Sequence, residues 1–132
     1  MYKILRINSC NDIGNKILYH RANRAQGGRS HTFIITINGE EAALLSYEDW
    51  SEKYIGFIYE IYVLPEYRYQ GIGKLLLSYA ESKACELKCR YIKLKPYPLD
   101  EKTDKDRLIA WYKKNGYFQS PDEEEIMEKR IG

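Results

Sequence analysis

The sequence lacks the features that suit a protein to a membrane, to secretion or to nucleic acid. Among its 132 residues, no apolar run approaches the roughly 18 residues that cross a bilayer, and the first six residues lack the long apolar stretch of a secretory signal peptide. Lys and Arg number 21 against 19 Asp and Glu, so there is no basic excess to neutralise a phosphate backbone. We therefore expect a cytoplasmic protein that binds neither membranes nor nucleic acid.

Cysteines are too few for a disulfide framework. There are three, Cys10, Cys85 and Cys89, and an odd number suits a reducing compartment. Cys85 and Cys89 are one helical turn apart and could share a zinc ion, but structural zinc requires four clustered ligands. His20 and His31 are far away in sequence. We expect no metal, and we interpret the histidines and the cysteine pair as structural or surface residues.

The composition that remains is typical of one globular domain. Hydrophobic residues make up 44% and charged residues 30%, which excludes a disordered or low-complexity chain, and no linker or repeat divides the sequence. The periodicity predicts the order β-α-β-β-β-α-β-α-β-β, with a hairpin turn at Asn38-Gly39. Hairpins mixed with helical crossovers predict an α/β fold, with a mixed sheet flanked by helices in one domain over residues 1–132.

One predicted strand stands out as the centre of that sheet. Residues 54–64 are almost all apolar or aromatic, which is typical of a strand covered on both faces. The long helix that follows has apolar residues at three- and four-residue steps. The predicted strands cover residues 2–7, 31–37, 42–47, 54–64, 91–94, 117–118 and 126–131, and the predicted helices cover residues 12–25, 71–89 and 104–115.

A glycine-containing turn, residues 68–74 (Arg-Tyr-Gln-Gly-Ile-Gly-Lys), links the central strand to the long helix. The first N–H groups of a helix have no internal partner and lie at the positive end of its dipole, so this turn suits an anion. Arg68 and Lys74 add full charges, which favours a diphosphate over a lone carboxylate. Alternatively, Gly71 and Gly73 only permit tight packing between strand and helix. Neither a Walker A nor a Rossmann signature fits.

These residues carry a resemblance to a known family. Arg68-x-x-Gly71-x-Gly73, preceded by residues 60–67 (Glu-Ile-Tyr-Val-Leu-Pro-Glu-Tyr), resembles the acetyl-CoA signature of the GNAT acetyltransferases. Residues 108–118 (Leu-Ile-Ala-Trp-Tyr-Lys-Lys-Asn-Gly-Tyr-Phe) are similar to the family's helix that ends in Tyr-x-x-x-Gly-Phe. The resemblance implies a single-domain GNAT-like fold, in which a splayed central strand forms a cleft for acetyl-CoA.

The resemblance also implies how this cofactor is held. Backbone groups of Ile61 and Val63 would hold the pantetheine arm like an added strand, and the amides of residues 70–74 would hold the pyrophosphate. Pro96 and Pro98 could help to separate the central strand from its neighbour, although a plain turn explains them equally well. The implied cofactor-binding residues are Ile61, Tyr62, Val63, Arg68, Tyr69, Gln70, Gly71, Ile72, Gly73 and Lys74.

Two residues are candidates for proton transfer. Glu60 is the only charge inside the central strand, and burying an unpaired carboxylate is costly, so it should face a wet cleft or have a partner. It is either a general base for the acceptor amine, acting directly or through water, or a salt-bridged structural residue. Periodicity alone favours a core role for Tyr112, whereas the resemblance implies that Tyr112 protonates the departing thiolate. The sequence departs from the family at Lys105, where many members have Asn, and at Leu108, where Ala is usual.

The acceptor is the least specified part of the expected reaction. The acidic residues 122–125 could attract a polyamine or a basic peptide, although a charge run in a turn is usually a solvated surface. The arginines of residues 21–29 could equally favour an acidic acceptor. The resemblance implies an N-acetyltransferase that uses acetyl-CoA and no metal, with direct attack by a primary amine of a small molecule, peptide or protein. The alternatives are another acyl donor and a catalytically silent acyl-CoA-binding or protein-interaction module. The chain could also form a homodimer.

Overall fold

The strands and helices follow one another in the order that the sequence predicts. The structure is a computed structural model, and it describes residues 1–25, 27–96 and 104–132. The elements are β1 (Tyr2–Ile7), α1 (Lys16–Arg24), β2 (Ser30–Ile37), β3 (Glu40–Trp50), β4 (Ile55–Val63), α2 (Ile72–Glu86), β5 (Tyr91–Leu94), α3 (Lys105–Lys114), β6 (Phe118–Gln119) and β7 (Met127–Arg130).

Capping residues explain where the helices begin and end. The predicted start of the first helix at residue 12 is wrong, because the side chain of Asn15 accepts a hydrogen bond from Leu18 N at 3.1 Å and starts α1 at Lys16. Asp104 caps α3 in the same way, bonding Asp106 N at 2.9 Å. The predicted second helix runs three residues too far, since α2 ends at Glu86, before Lys88 adopts a φ of 62°.

The sheet has one parallel pair of neighbouring strands, at its centre. The strand order among the described residues is β1-β2-β3-β4-β5-β7-β6, and every pair is antiparallel except β4 with β5. That parallel ladder covers only four residues, from the Ile55–Tyr91 pair to the Ile58–Leu94 pair. Within the described part of the chain, residues 60–63 pair with β3 alone, so β4 separates from β5 halfway along its length. The expected splayed central strand is therefore confirmed.

Two hydrophobic clusters cover the opposite faces of the sheet. Phe33 and Leu45 belong to the larger cluster, which also contains residues of α2 and Tyr112 of α3. Ile34 and Leu44, the adjacent strand residues, belong to a second cluster with α1. Because successive residues of a strand point to opposite faces, α1 covers one face and α2 and α3 cover the other.

Candidate active site

A β-bulge in β4 determines which face Glu60 occupies. Glu60 lies opposite Ser46 in the ladder with β3, while Ile58 lies opposite the next residue of β3, so Tyr59 is an extra, unpaired residue. An extra residue moves every later side chain of a strand to the other face. Ile58 accordingly packs in the cluster with α2, whereas Glu60 points toward α1, where it meets Arg21.

The carboxylate of Glu60 has one oxygen held by a partner. The residue is 4% exposed, and its Oε2 accepts a hydrogen bond from Nη1 of Arg21 at 3.0 Å. Its Oε1 has no hydrogen-bond partner among the described residues. Burial raises the pKa of Glu60, and the positive charge of Arg21 offsets part of that rise. The two sequence interpretations of Glu60 thus coexist, because it has an ion-pair partner and also lines a cleft.

That cleft opens where β4 and β5 separate. It has a volume of about 360 Å³, and its walls come from β4, the turn before α2, the first turn of α2, and α3. Every sequence-predicted site residue except Gln70 lines it. The lining members of that set are Glu60, Ile61, Tyr62, Val63, Arg68, Tyr69, Gly71, Ile72, Gly73, Lys74 and Tyr112.

The turn before α2 presents unpaired backbone donors to the cleft. The first helical hydrogen bond runs from Leu75 N to Gly71 O at 3.1 Å, so the N–H groups of residues 72–74 have no partner within the helix. No side chain caps this end, and its first turn contains no acidic residue but does contain Lys74. The cleft is therefore electropositive at this end and suited to an anion.

Only one of the two glycines in this turn has a conformation that requires glycine. Gly71 adopts a φ of 81°, and a Cβ at this position would meet nothing within 4 Å, so its backbone conformation rather than lack of space requires glycine. A Cβ on Gly73 would lie 3.6 Å from the ring of Trp111 in α3. That distance is an ordinary van der Waals contact, so close packing does not require glycine at Gly73, whereas the backbone conformation does require it at Gly71.

The free edge of β4 faces the same cleft. Leu64 N donates to Ala42 O of β3 at 2.9 Å, and backbone groups alternate in direction along a strand. The N–H and C=O groups of Ile61 and Val63 therefore point away from β3. Arg68 Nε already donates to Val63 O at 2.9 Å. Both backbone groups of Ile61 and the N–H of Val63 thus remain for an extended ligand.

Tyr112 reaches the cleft from the face opposite Glu60. It is 6% exposed and packs edge-on against Trp111 and Tyr117, at centroid distances of 5.0 and 5.7 Å. Burial raises the pKa of Tyr112, so the phenol stays protonated. The neighbouring Tyr117 donates its hydroxyl to Oε2 of Glu81 at 2.8 Å and does not line the cleft. Of these two tyrosines, Tyr112 is the one that lines the cleft.

Comparison with known proteins decides the family. The model of the acetyltransferase (GNAT) domain matches residues 28–119, more than half of the chain. The chain belongs to this family. Acetyltransferases are acyltransferase enzymes, and the resemblance recognised in residues 60–74 and 108–118 is thereby confirmed. No curated protein sequence matches the chain significantly.

Solved structures of GNAT proteins share this fold over almost the whole chain. The ribosomal-protein-S18-alanine N-acetyltransferase from Escherichia coli is 19% identical with a TM-score of 0.72, covering 100% of this chain and 95% of that chain. The IAA acetyltransferase from Bacillus cereus is 16% identical with a TM-score of 0.75, covering 98% and 99%. The PaiA N-acetyltransferase from Thermoplasma acidophilum, solved in complex with coenzyme A, is 15% identical with a TM-score of 0.70, covering 98% and 99%.

One face of α3 completes the cleft of this GNAT domain. Only part of that helix face was predicted from the sequence. Asp104, Arg107, Leu108 and Trp111 line the cleft together with Tyr112. Their spacing of three and four residues is the repeat of one helical face, so periodicity could have found them. Lys105, at the position of the family's Asn, is exposed and does not line the cleft.

The charge runs considered as acceptor sites are partly neutralised by ion pairs. In the acidic run, Glu123 pairs with Lys93 at 2.7 Å, and Glu125 pairs with Lys95 at 3.1 Å. In the arginine-containing segment, Arg29 is paired with a carboxylate and stacked on an indole ring. Neither run is a free patch of one sign.

The remaining sequence predictions concern a metal site, a membrane span and the two prolines after β5. The described residues contain no group of three or more His, Cys, Asp and Glu side chains that could hold a metal ion, and Cys10 and Cys89 are buried while Cys85 is exposed. No described helix combines the length and hydrophobicity needed to cross a membrane. β5 ends at Leu94, two residues before Pro96, and Pro98 lies outside the described residues.

Proposed function

We propose that this GNAT domain transfers the acetyl group of acetyl-CoA to a primary amine of a small molecule, peptide or protein by direct attack. One observation carries the proposal: Glu60 and Tyr112 reach the same cleft from opposite faces of the sheet. A base is needed on the side from which the amine arrives, and an acid is needed on the side from which the thiol leaves. Glu60 and Tyr112 satisfy that requirement because they lie on opposite faces of the sheet.

The residues that line the cleft fit acetyl-CoA. The unpaired N–H groups of residues 72–74 and the ammonium group of Lys74 suit a pyrophosphate. Both backbone groups of Ile61 and the N–H of Val63 suit the amide-containing pantetheine arm, which can add to an open strand edge. Bound acetyl-CoA would supply the activated acetyl thioester. Structures of PaiA N-acetyltransferase and of a GNAT protein from Elizabethkingia anophelis, solved with coenzyme A and acetyl-CoA respectively, support this choice of ligand.

Glu60 takes the proton of the attacking amine. Its Oε1 is the oxygen without a partner, so it can accept a proton either directly or from a bridging water. Because burial raises the pKa of Glu60, it is a stronger base than an exposed carboxylate. The acetylation rate should therefore fall as pH decreases through that raised pKa, where Glu60 becomes neutral.

Tyr112 gives a proton to the leaving sulfur. Its hydroxyl remains protonated at any working pH because burial raises the pKa of the phenol. A thiolate held in the same buried region is disfavoured for the same reason, since burial raises the pKa of a thiol as well. Burial also makes the phenol a weaker acid, so Tyr112 is favoured as the donor by its place in the cleft lining and by its retained proton.

Thiol release from acetyl-CoA by the purified protein tests the proposal. The acceptor panel should include spermidine, free amino acids and short peptides with an N-terminal alanine, the last because one structural relative acts on the alanine of a ribosomal protein. Propionyl-CoA replaces acetyl-CoA in a parallel series to test the acyl group. We expect amine-dependent thiol release that is lost in Glu60→Gln and Tyr112→Phe. Tight binding of coenzyme A without turnover on any amine would instead identify a silent acyl-CoA-binding module.

A further inference from the structure

Contacts with two residues of β4, Glu60 and Tyr62, fix the position of the Arg21 guanidinium group. Its Nη1 donates to Oε2 of Glu60 at 3.0 Å, and its guanidinium carbon lies 3.7 Å from the ring centroid of Tyr62. Tyr62 follows Glu60 by two residues on β4, so both side chains lie on the face that α1 covers. The exposed fractions of the Arg21 and Glu60 side chains are only 13% and 2%. The ion pair is therefore largely shielded from water.

The packing of α1 holds Arg21 over this pair of residues. Leu18 and Ala22, on either side of Arg21 in the helix, are fully buried in the cluster that contains Tyr62. A guanidinium group stacked on a ring and bonded to a carboxylate loses freedom of rotation about its long side chain. The orientation of Arg21 thus follows from the packing of α1 and does not depend on a ligand.

These contacts divide the two oxygens of Glu60 between two tasks. Oε2 is occupied by Arg21, whereas Oε1 has no partner among the described residues and belongs to a residue that lines the cleft. The other charged group of α1 that acts on Glu60 is Arg24, while β3 presents the neutral Ser46 opposite it. The guanidinium carbon of Arg68 lies 5.3 Å from the ring centroid of Tyr62, farther from that ring than the guanidinium carbon of Arg21.

We propose that Arg21 is a positioning residue for the acetyl transfer: it holds Oε2 of Glu60 so that Oε1, which is buried and has no partner among the described residues, is the oxygen left to take the proton of the acceptor amine. The charge of Arg21 also favours the ionised carboxylate. This inference rests on the proposed role of Glu60 as the base. Arg21 itself takes up no proton and touches neither the amine nor the cofactor. Its loss should therefore change the rate and the pH dependence of turnover while leaving cofactor binding intact.

Arg24 provides a matched control for Arg21. It lies one helical turn later on α1, is exposed, and acts on Glu60 only through space. The variants Arg21→Met and Arg24→Met remove the same charge from the same helix and keep an unbranched side chain. Arg21→Lys keeps the charge but loses the planar group that stacks on Tyr62. Thermal melts and titration with coenzyme A should verify that each variant is folded.

Turnover should separate the three variants. With the best amine of the panel described above, Arg21→Met should lower kcat by about 10–100-fold, because the base is no longer oriented, with a KM for acetyl-CoA within about twofold of the original. Its loss in kcat/KM should be about tenfold larger at pH 6 than at pH 9, because removing a nearby opposite charge disfavours the ionised carboxylate. Arg21→Lys should restore the pH profile but not the full kcat. Arg24→Met should retain the full kcat and shift the pH profile less than Arg21→Met, because the charge of Arg24 acts more weakly on Glu60.

A second measurement needs no acceptor. In protein labelled with carbon-13 at the glutamate carboxyls, the Glu60 signal is the one that disappears in Glu60→Gln. We expect this signal to titrate at a higher pH in Arg21→Met than in the unaltered protein or in Arg24→Met. If the unaltered protein acetylates no amine, the proposed function fails, and a shift of the titration to higher pH in Arg21→Met still supports control of Glu60 by Arg21. An unshifted titration, a pH-independent loss equal in Arg21→Met and Arg24→Met, or a Glu60→Gln variant with full turnover overturns the inference.

Discussion

Replacing Gly71 with alanine tests the phosphate-binding turn without adding bulk to it. A Cβ at this position would meet nothing within 4 Å, so the substitution causes no collision. The only cost arises from the φ of 81°, a left-handed conformation that costs an L-residue about 1–2 kcal/mol. The turn can escape that strain by rotating out of the conformation that presents the N–H groups of residues 72–74. Coenzyme A binding must then restore the strained conformation.

The expected loss of affinity follows from that strain. If the free turn relaxes fully, coenzyme A binding must supply the strain free energy of about 1–2 kcal/mol. This cost corresponds to roughly a 5–30-fold increase in the Kd for coenzyme A. Any strain that the free turn retains appears instead as lower stability, up to roughly 3–8 °C in melting temperature for a domain of this size. Isothermal titration measures the first effect, and a calorimetric melt without ligand measures the second.

Gly39 offers a matched control for this experiment. It has a φ of 85°, and a Cβ there would also meet nothing within 4 Å, but it lies in the hairpin between β2 and β3 and does not line the cleft. Gly39→Ala should lower the melting temperature by a similar amount and leave the Kd for coenzyme A unchanged. If Gly71→Ala also leaves the Kd unchanged, the turn before α2 does not bind the pyrophosphate, and the cofactor assignment of residues 70–74 is wrong.

The sequence was sufficient for the elements of the fold because local patterns determine them. Tyr2–Ile7 and Tyr91–Leu94 form strands at the predicted bounds, and Asn38 and Gly39 adopt the positive φ values, 51° and 85°, of a two-residue hairpin. The start of α1 was missed because an apolar repeat shows where a helix is buried but not where its first N–H group is capped. In this chain the cap at Asn15 lies inside the predicted helix.

The sequence predicts the parts of the site that depend on the local backbone conformation. It does not predict the parts that depend on the pairing register between β3 and β4. Gly71 and the open edge at Ile61 can be read from a motif, since glycine and strand position specify them locally. The contact between Arg21 and Glu60 depends on the extra residue Tyr59 in the ladder with β3. Without that bulge, Glu60 would share a face with Ile58 and point toward α2. No spacing within one segment reveals a register shift between two strands.

The two candidate proton-transfer residues give further predictions that kinetics can separate. Glu60→Gln should lower turnover most at pH values between the raised pKa of Glu60 and the pKa of the acceptor amine. The defect should shrink at higher pH, because an amine that is already deprotonated needs no base. A pH–rate profile checks this, and a defect of constant size would point to a structural role. Tyr112→Phe should lower kcat by about 10²–10⁴-fold with little change in the Kd for coenzyme A, because only the proton donor is removed. Tyr117→Phe is its control, since the Tyr117 hydroxyl donates to Glu81 at 2.8 Å outside the cleft. Breaking this hydrogen bond to a charged group should cost about 1–3 kcal/mol of stability while leaving Tyr112 as the proton donor. If Tyr112→Phe instead keeps full kcat and only melts earlier, as expected for Tyr117→Phe, then Tyr112 is a packing residue and the leaving thiolate takes its proton from another source.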